Sequence, residues 1–587
     1  MLSIRVLCIS SLAQTALVPS PHSRWAPTLQ NECISHLTMI EELKSATDQL
    51  RTAWENYCQI LSTFQTGPTQ RNIPHAYHFP QELSRQLGTQ LDFLSSYELE
   101  IREIKLAIKR AHNYSHGLAP INSLPLEILT RIFHLARVWP CGLDHLSSRN
   151  KKYYPSYPHY LAQVCALWRR IAISSRLLWC HIDLSSDETY FRHLIAQAET
   201  NVARTGGSPL ELHITNSASG KFEWPHYTYE QLYDLVSHVS YHVESFELVV
   251  FGDFRGFHRS AFSRLLLSQS PTLTKLVLSS HHYHFNSFIY AMEFDPSELD
   301  DDIMDFALDL ATDQIEAAFA PITVLYVRGI FPLWTSVAYS GLVDLRLTST
   351  DEWSKIQEIS LIAILQSSPG LRILHFGLKI HNLSTNAEQM PPVYLQDLQV
   401  IKIFPNNGET TALCPGSVLR LLAPGSKPLR LSFGSEHIPD AITMIGFEKF
   451  LLRAKVERFY ARTTFPQMQT LLRHAPHLEL VVFDDFGPYS RSKLDSTWLA
   501  VNGLDLGQRL KHFHLTRSTL FEGELRSMVS CCPTGLVLYS CCVGPDSGGE
   551  TPGFSPKELV EAFPTVRVTE YALYPAKDPT ADWDILD

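Results

Sequence analysis

Two long stretches of the chain carry their apolar residues at heptad spacing. Leu43, Thr47, Leu50, Trp54, Tyr57, Leu61 and Phe64 step alternately by four and three residues, as do Leu94, Tyr97, Ile101, Ile104, Ile108 and Ala111. That period lines each set along one side of an α-helix, so helices are predicted over 36–64 and 81–112. Gly67, Pro68, Pro74 and Pro80 break the chain between them. The pair reads as an antiparallel helical hairpin or coiled coil over 31–116, with Leu43–Phe64 packed on Leu94–Ala111. Pairing with another chain, or docking of both stripes on the rest of the protein, would use the same seams.

The pattern changes at Gly117 and Pro120. Pro125 has no N–H to lose and suits a helix start. Ser123 is placed to cap that helix and Glu127 puts negative charge in its first turn. Ile128, Leu129, Ile132, Phe133 and Ala136 form its apolar stripe. A polar, proline-rich loop from Trp139 to His159 holds the basic run Arg149–Lys152. A second helix is predicted with Leu161, Val164, Cys165, Trp168 and Ala172 on one face and Arg169 and Arg170 off it, and the segment closes on Leu177–Leu184.

The order Leu124-Pro125, Glu127-Ile128-Leu129, Ile132-Phe133, then Val164-Cys165, Trp168-Arg169, Ile171-Ala172, and last Leu177, Trp179 and Ile182 resembles an F-box over 120–184. The chain departs from that family in the length of the loop between the two halves. The resemblance implies docking on a Skp-type adaptor of a cullin-based ubiquitin ligase. It implies adaptor contact by Leu124, Pro125, Glu127, Ile128, Leu129, Ile132, Phe133, Val164, Cys165, Trp168 and Arg169; which of these face the adaptor and which hold the segment together stays open. The whole layout is similar to a group of fungal F-box proteins with a helical segment in front and a divergent repeat region behind.

Beyond a connecting helix over 185–207, short apolar strands alternate with helices from 208 to 570. Strands are predicted around Leu212, Leu248, Leu276, Leu325, Leu345, Leu374, Ile401, Arg430, Phe459, Val481, Phe513, Val537 and Val566. From Leu248 on, successive spacings lie between 20 and 32 residues except for the 49 between Leu276 and Leu325. A larger unit recurs: Leu267, Pro271, Leu273, Leu276 and Leu278 match Leu365, Pro369, Leu371, Leu374 and Phe376, and again Leu472, Pro476, Leu478, Val481 and Phe483. One strand per 20–29 residues is the leucine-rich-repeat period. Only Asn406 supplies the buried asparagine that usually follows such a strand; His281, Thr350, Lys379, Phe486 and Ser518 stand at the equivalent places. The expected fold is mixed α/β: a helical hairpin and helical F-box, then an irregular leucine-rich-repeat-like solenoid with a mainly parallel, curved sheet and helices outside. Residues 1–30 and 571–587 read as tails.

The long spacing has a cause. Residues 293–316 contain ten acids and no base, so this insertion carries nearly all of the net charge of −11. It reads as a solvated loop or a short amphipathic helix bearing Ile303, Phe306 and Leu310. A net acidic chain is a poor nucleic-acid binder. Eleven scattered cysteines fit reduced thiols in a cytosolic or nuclear protein. No apolar run reaches membrane-spanning length, and Met1–Val18 is too diluted by Ser, Gln and Thr for a leader. Ser219-Gly220-Lys221 lacks the first glycine of a phosphate loop, with Thr215 in its place. Gly544–Gly549 has a proline inside the serine-protease-like run, and His281–His284 with the pairs Cys531-Cys532 and Cys541-Cys542 lacks metal-ligand spacing. No catalytic set, metal site or cofactor is expected. The chain reads as a substrate receptor holding a protein target, or as a binding scaffold with no ligase role.

Overall fold

Heptad spacing identifies the apolar side of a helix but not what covers it. The computed structural model describes residues 28–66, 81–114, 120–136, 157–216, 229–251, 254, 256–268, 271–280, 287–293, 306–349, 354–382, 391–404, 415–434, 441–462, 466–487, 510–532, 535–546, 553–569, 580 and 582–586. Sequence expectations for 1–27, the loop residues 139–156 with Arg149–Lys152, Ser219–Lys221, His281–His284, Ile303, Thr350, Asn406 and 571–579 lie outside these residues. The chain divides at Leu106 into two units. Helices α1 (Thr28–Thr66) and α2 (Gln81–Tyr114) form where the heptads predict them. They meet where the Tyr57 hydroxyl donates to Gln90 Oε1 at 3.2 Å, with Leu61, Leu87 and Leu94 half-buried. Elsewhere the stripes are open: Leu50 is 67% exposed and Ile104 59%, with Leu43, Trp54, Tyr97 and Ile101 also exposed. Among the described side chains, the expected packing of Leu43–Phe64 on Leu94–Ala111 is therefore not formed along the stripes. Thr47 turns its hydroxyl back onto the Leu43 carbonyl (2.7 Å), so this seam position supplies no apolar knob.

The second unit opens with a small helical cluster. Helix α3 (Leu126–Leu135) starts at Pro125 as expected. Ser123 does not cap it; its hydroxyl donates to the Pro120 carbonyl at 2.6 Å. The single helix predicted around Trp168 is two, α4 (Leu161–Val164) and α5 (Ala166–Ser174). Cys165 between them is extended, and its Sγ accepts from the Trp168 amide at 3.5 Å. This break explains why Val164 does not share a face with Trp168 and Ala172.

Fourteen strands among the described residues join one sheet. They are β1 (His181–Ser185), β2 (Leu210–Thr215), β3 (Val243–Val250), β4 (Lys275–Ser280), β5 (Val324–Arg328), β6 (Asp344–Thr348) and β7 (Ile373–Gly377). There follow β8 (Val400–Ile403), β9 (Leu429–Phe433), β10 (Val456–Arg462), β11 (Leu480–Asp484), β12 (His512–Thr516), β13 (Leu536–Tyr539) and β14 (Arg567–Thr569). They stand in chain order and every neighbouring pair is parallel. Parallel neighbours need a crossover, and helices such as Glu188–Thr205 (α6), Glu230–Val239, Gly256–Leu267 and Glu358–Ser367 supply them.

Side chains alternate across each strand. One side, with Leu212, Phe246, Leu276, Leu325, Leu374 and Phe459, packs with the helices into one continuous core. In-register neighbours such as Asp344, Arg346, His375 and Lys402 fall on the other side.

Of the predicted strand centres only Val566 misses, lying one residue before β14. The segment Leu177–Leu184 does not end the helical cluster: its last residues are β1, and α6 is the first crossover, burying Phe191, Ile195 and Ala198 in the sheet core. The acidic insertion is not a solvated loop where it is described. Phe306–Leu308 is a strand and Thr312–Phe319 a helix, with Phe306, Leu308, Leu310 and Ile315 buried. Glu316 accepts from the Ser336 hydroxyl (3.0 Å) and the Val337 amide (2.7 Å).

The missing asparagines are replaced by local backbone devices. Gly329, Asp485, Arg517 and Ser540 each follow a sheet strand with φ of 72°, 60°, 51° and 51°, the left-handed turn that swings the chain off the sheet. Ser518 is buried, donates to the Thr516 carbonyl (2.8 Å) and accepts from the Phe486 amide (3.1 Å).

His514 on β12 has an imidazole pushed down to about 4 by burial, with the nearby His512 adding to the effect. A histidine held neutral in the fold must gain its proton on unfolding. Stability is therefore complete above about pH 6.5 and falls as pH drops toward 4, by on the order of 1 kcal/mol after solvent screening. Urea unfolding from pH 7 to pH 4.5 should show this slope, and His514→Gln should flatten it; an unchanged slope would exclude His514 as its source.

Candidate functional site

The helical cluster sorts its residues by burial. Leu129, Phe133, Leu161, Ile171, Ala172, Leu178 and Trp179 form its core. Trp168 is half-buried, tilts against Phe133 at 4.8 Å and donates from Nε1 to Asn122 Oδ1 at 2.8 Å. Arg169 Nε donates to the Ala162 carbonyl at 2.8 Å, tying α5 to α4. Of the eleven residues singled out, Leu129 and Phe133 are therefore internal, and Ile132, Cys165 and Trp168 are half-buried. Leu124, Pro125, Glu127, Ile128, Val164 and Arg169 are exposed. Among the exposed apolar residues Ile128 is 48% and Val164 54% open, and the neighbouring Leu126 is 53%. These helices keep a small closed core and turn a second set of apolar side chains outward.

A second site, not legible in the sequence, lies on the polar side of the sheet. Arg346 (β6), His375 (β7), Lys402 (β8) and Arg430 (β9) come one from each of four adjacent strands. Thr580 and residues 582–586 lie across them. Asp584 takes Arg346 Nη1 at 3.0 Å, His375 Nε2 at 3.1 Å and Lys402 Nζ at 3.1 Å. Lys402 also donates to the Thr580 carbonyl (3.1 Å), and Arg430 to the carbonyls of Trp583 (2.6 Å) and Ile585 (3.0 Å). Trp583 is 1% exposed and packs with Tyr460 and Val482, with Leu480 against them. Burial alone would raise the Asp584 carboxyl; His375, Arg346 and Lys402 overcome it and hold the group well below the usual carboxylate range. Burial lowers His375, with Asp584 opposing.

Two further hubs support this side of the sheet. Arg346 is held flat by Asp344 (3.0 and 2.9 Å) and lies 4.0 Å over the Tyr326 ring. Asp484, fully buried, accepts from Tyr460 (2.7 Å), Thr516 (2.6 Å) and Arg517 Nε (2.8 Å). It thereby fixes the ring that walls Trp583.

At the other end of the sheet the register sets His181 beside Glu211 and Asp183 beside His213. His181 Nε2 and His213 Nδ1 stand 3.0 and 3.2 Å from Asp183 Oδ1, and His181 Nδ1 lies 3.3 Å from Glu211 Oε2. One ligand atom from each of His181, Asp183 and His213 falls within 4.8 Å of the others. These three could hold a divalent transition metal, with Glu211 orienting His181. As they stand they form a hydrogen-bonded chain. The set is not legible in the sequence because its two halves are thirty residues apart and adjoin only across β1 and β2; His181-x-Asp183 and Glu211-x-His213 on alternate positions of two strands are the local signal it leaves.

The described members of the cysteine pairs differ in burial: Cys532 is buried, Cys541 half-buried and Cys542 exposed. Burial pushes the Cys541 thiol up to about 11. Asp546 of the protease-like run accepts from the Gly523 amide (2.8 Å), an ordinary loop-to-helix tie. No helix among the described residues is long and apolar enough to cross a membrane. Compared with known proteins, the chain matches no protein-family model and no curated protein.

Proposed function

We propose that the chain is a non-catalytic F-box substrate receptor. In this reading residues 120–184 dock on a Skp-type adaptor of a cullin-based ubiquitin ligase, and the sheet region, an irregular leucine-rich-repeat-like solenoid, holds a protein target. The observation that carries it is the double-sided helical cluster. Leu129, Phe133 and Trp179 close a core while Leu124, Ile128 and Val164 stay exposed, as expected of a short helical unit that completes its burial in a partner groove. Fourteen parallel strands in chain order support the repeat reading. A scaffold that uses the helical cluster only structurally is the second reading.

A pull-down with purified adaptor, run beside thermal melts, separates the two. Leu124→Ala with Pro125→Ala removes exposed contacts outside the closed core. Binding should weaken at least roughly thirtyfold, the loss expected from about 2 kcal/mol for one anchor alone, with an unchanged melt. Trp168→Ala should lose both binding and stability, because it also removes the contacts to Phe133 and Asn122. Unaltered binding by the double variant would leave the scaffold reading in place.

A further inference from the structure

Three cationic side chains, Arg346, Lys402 and Arg430, and the His375 imidazole come from four adjacent strands on one side of the sheet, and the cations repel one another unless anions meet them. The carboxylate that meets three of these four side chains together is Asp584, carried by a segment that adds no strand to the sheet. The contacts sort into three kinds. Arg346, His375 and Lys402 read a carboxylate. A pocket of Tyr460, Val482 and Leu480 reads the aromatic residue just before it. Lys402 and Arg430 take main-chain carbonyls at 580, 583 and 585, which a peptide of any sequence offers. An aromatic anchor in a pocket, a paired charge and main-chain capture together make a peptide-recognition site.

We propose that this face binds segments of other proteins in which a bulky aromatic residue is followed by an acidic one, and that residues 580–586 are a built-in competitor for it. The proposal rests on the sheet being the target-holding half of the proposed receptor and is independent of adaptor docking. The connection permits exchange. Residues 570–579 join β14 to the segment, and ten extended residues reach up to about 33 Å. Thr580 sits on Lys402 of β8, and the six strand steps from β8 to β14 span about 29 Å at roughly 4.8 Å each. A tethered competitor of this kind acts at about millimolar effective concentration.

The test is fluorescence anisotropy with a labelled octapeptide of residues 580–587, Thr-Ala-Asp-Trp-Asp-Ile-Leu-Asp. The full chain carrying Trp583→Ala and Asp584→Ala should bind it at least about tenfold more tightly than the unaltered chain, whose own segment competes. Peptides with Ala for Trp or Asn for the following Asp should lose binding. Adding Lys402→Glu to the chain should do the same. Equal binding by both chains, no binding by a variant that melts normally, or equal binding of the altered peptides overturns the proposal. If the double variant melts early, a full chain with a protease site within 571–579, cut after folding, answers instead. Exchange of the severed segment for labelled peptide supports the proposal, and retention or release without peptide binding overturns it. Adaptor pull-down by the same variants should be unchanged, so a failure of the docking reading shows there and a failure of this one in the anisotropy.

Discussion

Trp179→Ala should destabilise the second unit by about 3–5 kcal/mol, the range for a buried aromatic truncated in a core. Trp179 is fully buried among Leu129, Phe133, Ile171 and Leu178. Its Nε1 donates to the Ala172 carbonyl at 2.7 Å. Arg204, from the first crossover helix, lies 4.0 Å over the ring, and His159 meets its edge at 5.1 Å. One residue separates it from β1, so it joins the helical cluster to the start of the sheet. Trp179→Phe keeps most of the volume and loses the hydrogen bond, and should cost about 1 kcal/mol. Urea unfolding followed by far-ultraviolet circular dichroism measures both. A cost below about 1 kcal/mol for the alanine variant would mean that the cluster and the sheet do not share this core.

Asp484→Ala should cost a similar amount, about 3–5 kcal/mol, because removing one member of a buried ionic network strands the others. Tyr460 and Thr516 would lose their acceptor inside the protein, and Arg517 its partner. Asp484→Asn keeps an acceptor and should cost less. Burial would raise this carboxyl; Arg517, Thr516 and Tyr460 together bring it below its ordinary value. A depressed carboxylate adds stability that is present above its unfolded value of about 3.9 and lost as pH falls through the folded one. The alanine variant should therefore show a shallower acid-side slope than the parent below about pH 4, with the part due to Asp584 retained. It should also loosen the seat of Trp583, since Tyr460 is held by Asp484, and limited proteolysis at 570–579 should speed up. An unchanged melt with unchanged proteolysis would refute the hub.

Much of the candidate docking surface was legible locally. Pro125, Glu127 and the stripe Ile128, Leu129, Ile132, Phe133 specify a helix start and its apolar residues by short-range rules. What those rules could not separate was inward from outward: Leu129 is 1% exposed and Ile128 next to it 48%. The break at Cys165 was also hidden, because a run of Leu161, Val164, Cys165 and Trp168 fits a continuous helix until tertiary packing extends one residue.

The peptide-binding face was not legible at all. Arg346, His375, Lys402 and Arg430 each read as an ordinary polar position on a one-sided strand. They gather only because the register of four parallel strands places them side by side, and Asp584 meets His375 only through a return of 209 residues along the chain.

By itself the sequence determined the periodic elements: two heptad helices, a helical cluster around Leu129 and Phe133, and strand centres from Leu212 to Val537. Each follows from side-chain spacing within a dozen residues, where helix and strand geometry dictate which positions share a face. The tertiary structure alone decided that the heptad stripes stay largely uncovered and that β1 and α6 belong to the sheet. It also decided that Thr580 and residues 582–586 lie on its polar side. Those outcomes depend on which distant surfaces meet, and the free energy of such meetings comes from burial and charge pairing between residues that no local period connects.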